Sequence, residues 1–197
     1  MPEFTATLES QVDAYVSVGY PQLAGLTEDA FRALFGALEP VDEPALAVVT
    51  AEVIPAEARV PALRIPGSAK EGILDRNHGE AGLAPYAPVV DIPEAPVYWL
   101  YGIDRGDEFL NVAPRDALPA IAERGRTPLT IDEGLSLATV APHFVEKNHC
   151  FMLAGSRRGD KRVPAIWISQ RAPKLGWCFE GVPHTWLGIA SAAGRAG

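Results

Sequence analysis

After His149 the chain changes its punctuation, and that change constrains the fold more than any other feature of the sequence. CFMLAGS, RVPAIWIS, KLGWCF and HTWLGIASA are β-branched and aromatic runs, separated by the turn-forming stretches RRGDK and EGVP. Gly159 in the first of these supplies the positive φ that a tight hairpin needs. Four short strands in succession predict an antiparallel sheet or meander at the C-terminal end. The first half reads differently. Phe4, Leu8, Val12, Tyr15 and Val16 recur at helical spacing and stop at Gly19. In LTEDAFRALFGALEP, Thr27 is an N-cap, Glu28 and Asp29 follow in the first turn, and Pro40 ends the element. Residues 1–40 therefore read as a helical hairpin whose apolar stripe needs a surface to lie on.

Between these ends, PALAVVTAEVI predicts a strand over Leu46 to Val53, buried on both faces and central to its sheet. The stretch from Pro55 to Pro96 holds seven prolines and shows no clean period in GSAKEGILDRNHGEAGLAPYAP, so a long loop or cap is expected there. Val97 to Tyr101 has strand composition. APRDALPAIAERG predicts a short helix closed by Gly125, and Thr130 with Glu133 forms a capping box for a helix ending by Pro142. The fold class is α+β: N-terminal helical hairpin, Pro-rich middle, two short helices and a C-terminal antiparallel sheet. At 197 residues it is expected to be one domain, with 1–40 as an attached element and 41–197 as the α+β core.

Hydrophobic residues make up 48% and charged residues 21%, a balance that excludes general disorder. The N-terminus, MPEFTATLESQVDAY, is acidic and lacks an apolar core, and no run is long and apolar enough to span a membrane. The expectation is a cytoplasmic protein that makes no membrane contact, with Cys150 and Cys178 reduced. The net charge of −8 conceals a division. From Ser156 onward seven basic residues face two acidic ones, a net of +5, whereas the preceding 155 residues carry ten basic and 23 acidic, a net of −13. Such a split is resolved either by docking one segment on the other or by keeping a basic face for an anionic partner.

Three constellations carry candidate chemistry. His149, Cys150, Cys178 and His184 are soft ligands, but adjacent His149 and Cys150 point to opposite strand faces and Cys178 lacks the short clip that zinc sites use, so no metal and no cofactor is expected. Cys178 and His184, separated by a Gly-Val-Pro turn, are a possible nucleophile and base for a hydrolase or acyl transferase, against the plainer reading of Cys178 as a small buried hydrophobe. Trp167, Trp177 and Trp186 alternate with Arg162, Arg171 and Lys174, a pattern suited to stacking on a ligand while neutralising its charge, and equally to a core with a basic rim. The preferred reading is a binding module. Arg157, Arg158 and Arg162 at the hairpin tip, with Trp177, His184 and Trp186 near the sheet's polar edge, receive an anionic small molecule, RNA or a protein partner.

The segments YWLYGID at Tyr98, TPLTIDEGLSL at Thr127, NHCFMLAGSR, VPAIWIS and PKLGWCFEGVPHTWLGIASAAGR resemble an uncharacterised family of small bacterial proteins, a domain of unknown function. The resemblance is densest from Tyr98 onward. It implies a class of protein and no particular activity, cofactor or catalytic residue.

Overall fold

The computed structural model describes residues 2–197. The helical end comes first: α1 (Leu8–Ser17), α2 (Tyr20–Leu23) and α3 (Glu28–Ala33), the last continuing as a 3₁₀ turn over Leu34–Ala37. Thr7 and Thr27 cap α1 and α3 through their hydroxyls. Then follow β1 (Ala45–Val49), α4 (Ala56–Arg59), β2 (Ile73–Leu74), β3 (Ala87–Pro88) and β4 (Val97–Tyr101). The second half contains α5 (Pro114–Glu123), β5 (Thr127–Pro128), α6 (Ile131–Val140), β6 (Cys150–Met152), β7 (Ser156–Arg157), β8 (Arg162–Ser169) and β9 (Ala172–Phe179). Three short strands close the chain: β10 (Leu187–Ile189), β11 (Ser191–Ala192) and β12 (Gly194–Ala196). The class is α+β, with helices concentrated toward the N-terminus and strands toward the C-terminus.

Two sheets organise the molecule. The smaller has the order β1-β4-β12, all antiparallel. Its β1 is buried on both faces, as its continuous apolar run predicts, but it is an edge strand and β4 is central. The apolar run cannot distinguish the two cases, because an edge covered by helices is as dry as an interior position. The strand also stops at Val49, where a turn closed by Val53 and Ile54 N–H groups on the Thr50 carbonyl takes over. Ala45, Ala47, Val49, Val97 and Trp99 face one apolar cluster, built with Val12, Tyr15, Tyr20, Phe31 and Phe35 of the N-terminal helices. Leu46, Val48, Tyr98 and Leu100 face the other cluster, shared with α6 and the C-terminal sheet.

The larger sheet has the order β10-β6-β8-β9-β2. Its middle is antiparallel, with β6 on β8 and β8 on β9, while β10 lies parallel to β6 and β2 parallel to β9. HTWLGIASA therefore crosses over to the far side of the sheet instead of extending the meander beside β9. The Pro-rich stretch is not one loop. It contributes α4, the strand β2 at the sheet margin, a 3₁₀ turn over Arg76–His78 and β3, which pairs with β7.

The free edge of β1 is closed by side chains. Gln11 donates to the Ala45 carbonyl at 2.8 Å and accepts from the Ala47 N–H at 2.8 Å, so its amide takes the place of a neighbouring peptide. Tyr15 donates to the Ala47 carbonyl at 2.7 Å, the Val49 N–H donates to Ser136 at 3.1 Å, and Arg59 donates to the Val49 carbonyl at 2.6 Å. Every outward backbone group from Ala45 O to Val49 O named here would otherwise be buried without a partner. Removing the Gln11 amide strands two such groups at once. Gln11→Leu is expected to cost roughly 2–4 kcal/mol of unfolding free energy and Tyr15→Phe about 1–2 kcal/mol, measured by urea unfolding; equal and negligible losses would refute this account.

Candidate functional site

The bend between β7 and β8, together with the β8–β9 hairpin, assembles a cationic cluster by local geometry; RRGDK is not the tight hairpin turn its composition predicts, because β8 pairs with β6 and the intervening β7 pairs with β3. Gly159, at φ 79°, turns the chain between Arg158 and Asp160, and the Asp160 carboxylate accepts from the Arg162 N–H at 2.9 Å. The same carboxylate lies 3.2 Å from Arg158 Nε and 3.7 Å from Arg162 Nε. Arg157 ion-pairs with Glu180 and also donates to the Asp160 carbonyl at 3.3 Å. In the β8–β9 register Arg162 faces Phe179 and Pro164 faces Trp177, so Arg162 and Trp177 are diagonal neighbours on one sheet face. The guanidinium of Arg162 accordingly stacks 4.4 Å above the Trp177 ring. Four cations, Arg157, Arg158, Lys161 and Arg162, meet two carboxylates, Asp160 and Glu180, which leaves a local surplus of +2 in a chain of net −8.

The Pro-rich stretch completes this cluster from the other side. Asp75 accepts from Lys174 Nζ at 2.8 Å and from the Asn77 N–H at 2.9 Å; burial acts to raise its carboxyl, but these contacts prevail and hold it below the ordinary range. Trp177 donates its indole N–H to the Asn77 carbonyl at 3.1 Å. His78 is 3% exposed and lies 5.7 Å, centroid to centroid, from Tyr86, over which Arg158 sits at 5.6 Å. Neither ring nitrogen of His78 has a hydrogen-bond partner. The Leu175 carbonyl beside it accepts from the Asp75 N–H at 2.8 Å and is close enough to the imidazole to favour its protonated form, against the larger effect of burial. Tyr86 Oη, Arg157 Nε and Arg158 Nη1 are likewise buried without a well-formed partner among the described residues, although Arg158 is near enough to the Tyr86 hydroxyl to counter part of the rise that burial causes in that hydroxyl's pKa. Burial lowers the His78 pKa, and the charges of Arg158 and Arg162 add to that effect against the pull of Asp75.

His184 and Trp186 do not join this cluster. The His184 ring is 5.4 Å from Trp186, which meets Trp167 at 6.0 Å with an interplanar angle of 69°. Trp167 lies five residues beyond Arg162 along β8 and on its opposite face, ~17 Å away along the strand. It packs across Gly176, where an added Cβ would fall 2.1 Å from the indole. The six residues proposed as one binding site from sequence thus divide into Arg157, Arg158, Arg162 and Trp177 on one side and His184 with Trp186 on the other. His78, Tyr86 and Asp75 were hidden in a segment without periodicity; the one local signal was Asp75 followed by Asn77, an Asx-type turn.

Cys178 alternates with Trp177 along β9, so it faces away from the cationic cluster and packs against the main core. It makes no hydrogen bond to His184. Burial pushes its thiol up to about 11, and burial lowers the His184 pKa. The thiol is therefore protonated at neutral pH, with no base beside it. Cys150 lies on β6, separated from β9 by β8, and no group of three or more His, Cys, Asp or Glu side chains among the described residues is arranged to hold a metal ion. No helix among them is long and apolar enough to cross a membrane.

The fold and this geometry define an α+β protein with a donor-rich, cationic corner, in which Cys178 and His184 form no hydrogen bond to each other. The chain belongs to a family of unknown function, DUF5701, whose model matches residues 14–197. No curated protein and no solved structure matches it.

Two measurements check the electrostatics. An imidazole kept neutral by burial binds its proton later than in the unfolded chain, so below pH about 6.5 the unfolded state holds more protons and stability falls as pH drops. His78→Gln is expected to flatten this decline in unfolding free energy between pH 7.5 and 5, and an unchanged slope would contradict the assignment. Iodoacetamide at pH 7.5 is expected to label Cys178 slowly in the folded protein and fast in urea, and mass spectrometry showing rapid native labelling would revive the nucleophile.

Proposed function

We propose that this protein is a noncatalytic binding module that receives a small anion, of the phosphate or carboxylate class, at the corner formed by the β7–β8 turn and the Arg76–His78 turn. One observation supports this reading above the rest: buried polar atoms of His78, Tyr86, Arg157 and Arg158 without partners among the described residues belong to one cluster, and four of them, the two guanidinium nitrogens, the Tyr86 hydroxyl and one nitrogen of the neutral His78 ring, can donate a hydrogen bond at once. Buried groups of this kind are costly unless something accepts from them. An oxyanion accepts from several at once, and charge-assisted bonds to arginine are the strong ones. The local surplus of +2 adds attraction, and the stacking of Arg162 on Trp177 and of Arg158 over Tyr86 holds both guanidinium groups in place before any ligand arrives.

A small anion is favoured over RNA or a protein partner. Half of the cluster's cationic charge is already committed to Asp160 and Glu180, and the first 155 residues carry −13, which repels an extended polyanion. Two free thiols, on strands separated by β8, suit a reducing cytoplasm such as that of the bacteria the sequence resemblance implies.

Calorimetric titration with inorganic phosphate and pyrophosphate tests the reading. Arg158→Ala combined with Arg162→Ala should weaken binding by tenfold or more at low salt while the variant remains folded by circular dichroism. Retention of full affinity in that variant would exclude this corner as the site. A length-dependent affinity for single-stranded RNA, with a steep salt slope, would instead replace the small anion by a nucleic acid.

A further inference from the structure

We infer a second, separate ligand site on this protein, shaped for a planar aromatic anion, in the cleft where Trp167 and Trp186 meet beneath Lys147 and Arg171. The cleft measures about 620 Å³, within the range of small-molecule sites, and Ile168, Asn148 and Cys150 complete its walls. It continues past Lys147 and Ile168 into a neighbouring cleft of about 670 Å³ that reaches Arg105. That arginine is buried and already held by Asp107 at 2.6–2.7 Å, so its charge is spent.

Three features of the first cleft point to the same ligand. The four tryptophans of the chain differ in their indole N–H groups. Trp99 donates to the Glu39 carbonyl at 2.8 Å and Trp177 to the Asn77 carbonyl at 3.1 Å, whereas Trp167 and Trp186 make no such bond among the described residues. Neither nitrogen is sealed from solvent, so both donors remain available. The charges at the rim are equally uncommitted. Lys147 and Arg171 form no ion pair among the described residues, and no carboxylate lines the cleft. The Arg171 side chain makes one hydrogen bond among the described residues, to the Gly67 carbonyl at 3.2 Å. Lastly, the two indoles stand at 69° to one another with centroids 6.0 Å apart, Lys174 Nζ lies 5.7 Å from the centre of the Trp167 ring, and the His184 ring lies 5.4 Å from Trp186, so the aromatic corner is already bordered by a cation and an imidazole.

Free donors and unpaired cations select for an anion, and broad π surfaces select for a flat apolar body. The backbone holds this arrangement at some expense. Gln170 and Arg171 form the two-residue turn between β8 and β9 with φ of 53° and 64°, and Asn148 has φ 68°, conformations that such hairpin turns ordinarily assign to Asn-Gly or Asp-Gly pairs. The turn is kept there by Lys70 Nζ on the Gln170 carbonyl at 2.7 Å and by Ser68 Oγ on the Arg171 carbonyl at 2.6 Å, which fixes where the Arg171 side chain begins. None of the residues lining this cleft belongs to the phosphate corner, and Trp167 lies on the sheet face opposite Arg162 and Trp177.

Naphthalene-2-sulfonate is a suitable probe, with naphthalene-2-sulfonamide as its neutral counterpart, followed through the four indole N–H resonances in ¹⁵N–¹H spectra of the whole chain. Saturable shifts of the Trp167 and Trp186 signals, with those of Trp99 and Trp177 unmoved, are expected. The sulfonamide should bind at least tenfold more weakly than the sulfonate, and Lys147→Ala combined with Arg171→Ala should remove most of that difference. Arg158→Ala with Arg162→Ala should leave the sulfonate affinity unchanged, which separates this site from the corner proposed above. Equal affinity for the charged and neutral probes would overturn the inference. So would a shift confined to Trp177, or sulfonate binding that survives loss of Lys147 and Arg171 undiminished.

Discussion

A strand that is dry on both faces and along one edge has nowhere to send its outward N–H and C=O groups except into side chains, and that requirement organises this protein. Water cannot reach the edge of β1, and no neighbouring strand lies there to complete a ladder. Gln11 and Tyr15 from α1, Ser136 from α6 and Arg59 from α4 supply the missing partners, so three helices are bound to one strand by specific hydrogen bonds as well as by apolar contact. The helical N-terminal end docks at a defined place for the same reason. Its aromatic cluster, with Tyr15 4.9 Å from Tyr20 and Phe31 5.4 Å from Phe35, provides burial, while the Gln11 amide sets the register of α1 against the strand.

The second organising contact is Glu133. Its carboxylate completes the capping box of α6 by accepting from the Thr130 N–H at 2.7 Å, and it also accepts from Tyr98 on β4 at 2.8 Å and from Arg195 on β12 at 2.5 and 2.9 Å. A fully buried carboxylate is tolerable because four donors surround it. This answers part of the charge division along the chain. Arg195, from the basic C-terminal segment, docks on Glu133, and Lys174 docks on Asp75, so those cations are spent inside the fold. What remains lies at the two ends of β8, with surplus arginines at the β7–β8 turn and unpaired Lys147 and Arg171 at the other end.

Features that depend on near neighbours in the chain were legible. The capping box of Thr130 and Glu133, the cap at Thr27, the positive φ of Gly159 and the strand composition of Val97–Tyr101 are all settled within a few residues by hydrogen bonds or pattern. The nearness of Arg162 to Trp177 was legible for the same reason, since the β8–β9 hairpin places its own flanks side by side, and Arg157 and Arg158 precede Arg162 by only a few residues. His184 and Trp186 were misjoined to them because HTWLGIASA pairs in parallel with β6 across the sheet. Parallel pairing leaves no turn signature in sequence. The roles of Gln11 and His78 were invisible too, as a buried glutamine in α1 and a histidine in a proline-rich stretch carry no periodic signal.

Taken alone, then, the order of residues determined which segments become helix or strand, where the caps and tight turns fall, and that basic charge gathers near the end of the chain. Only the tertiary structure decided that β1 is an edge and not a centre, that the tryptophans part to opposite faces of β8, and that His78 and Tyr86 lie beside the arginines. The physical reason is range. Capping, turn strain and hydrophobic period act over a few residues and leave their mark in the local sequence, whereas strand order and the pairing of buried polar groups are settled by competition among distant segments for the same space and the same hydrogen bonds.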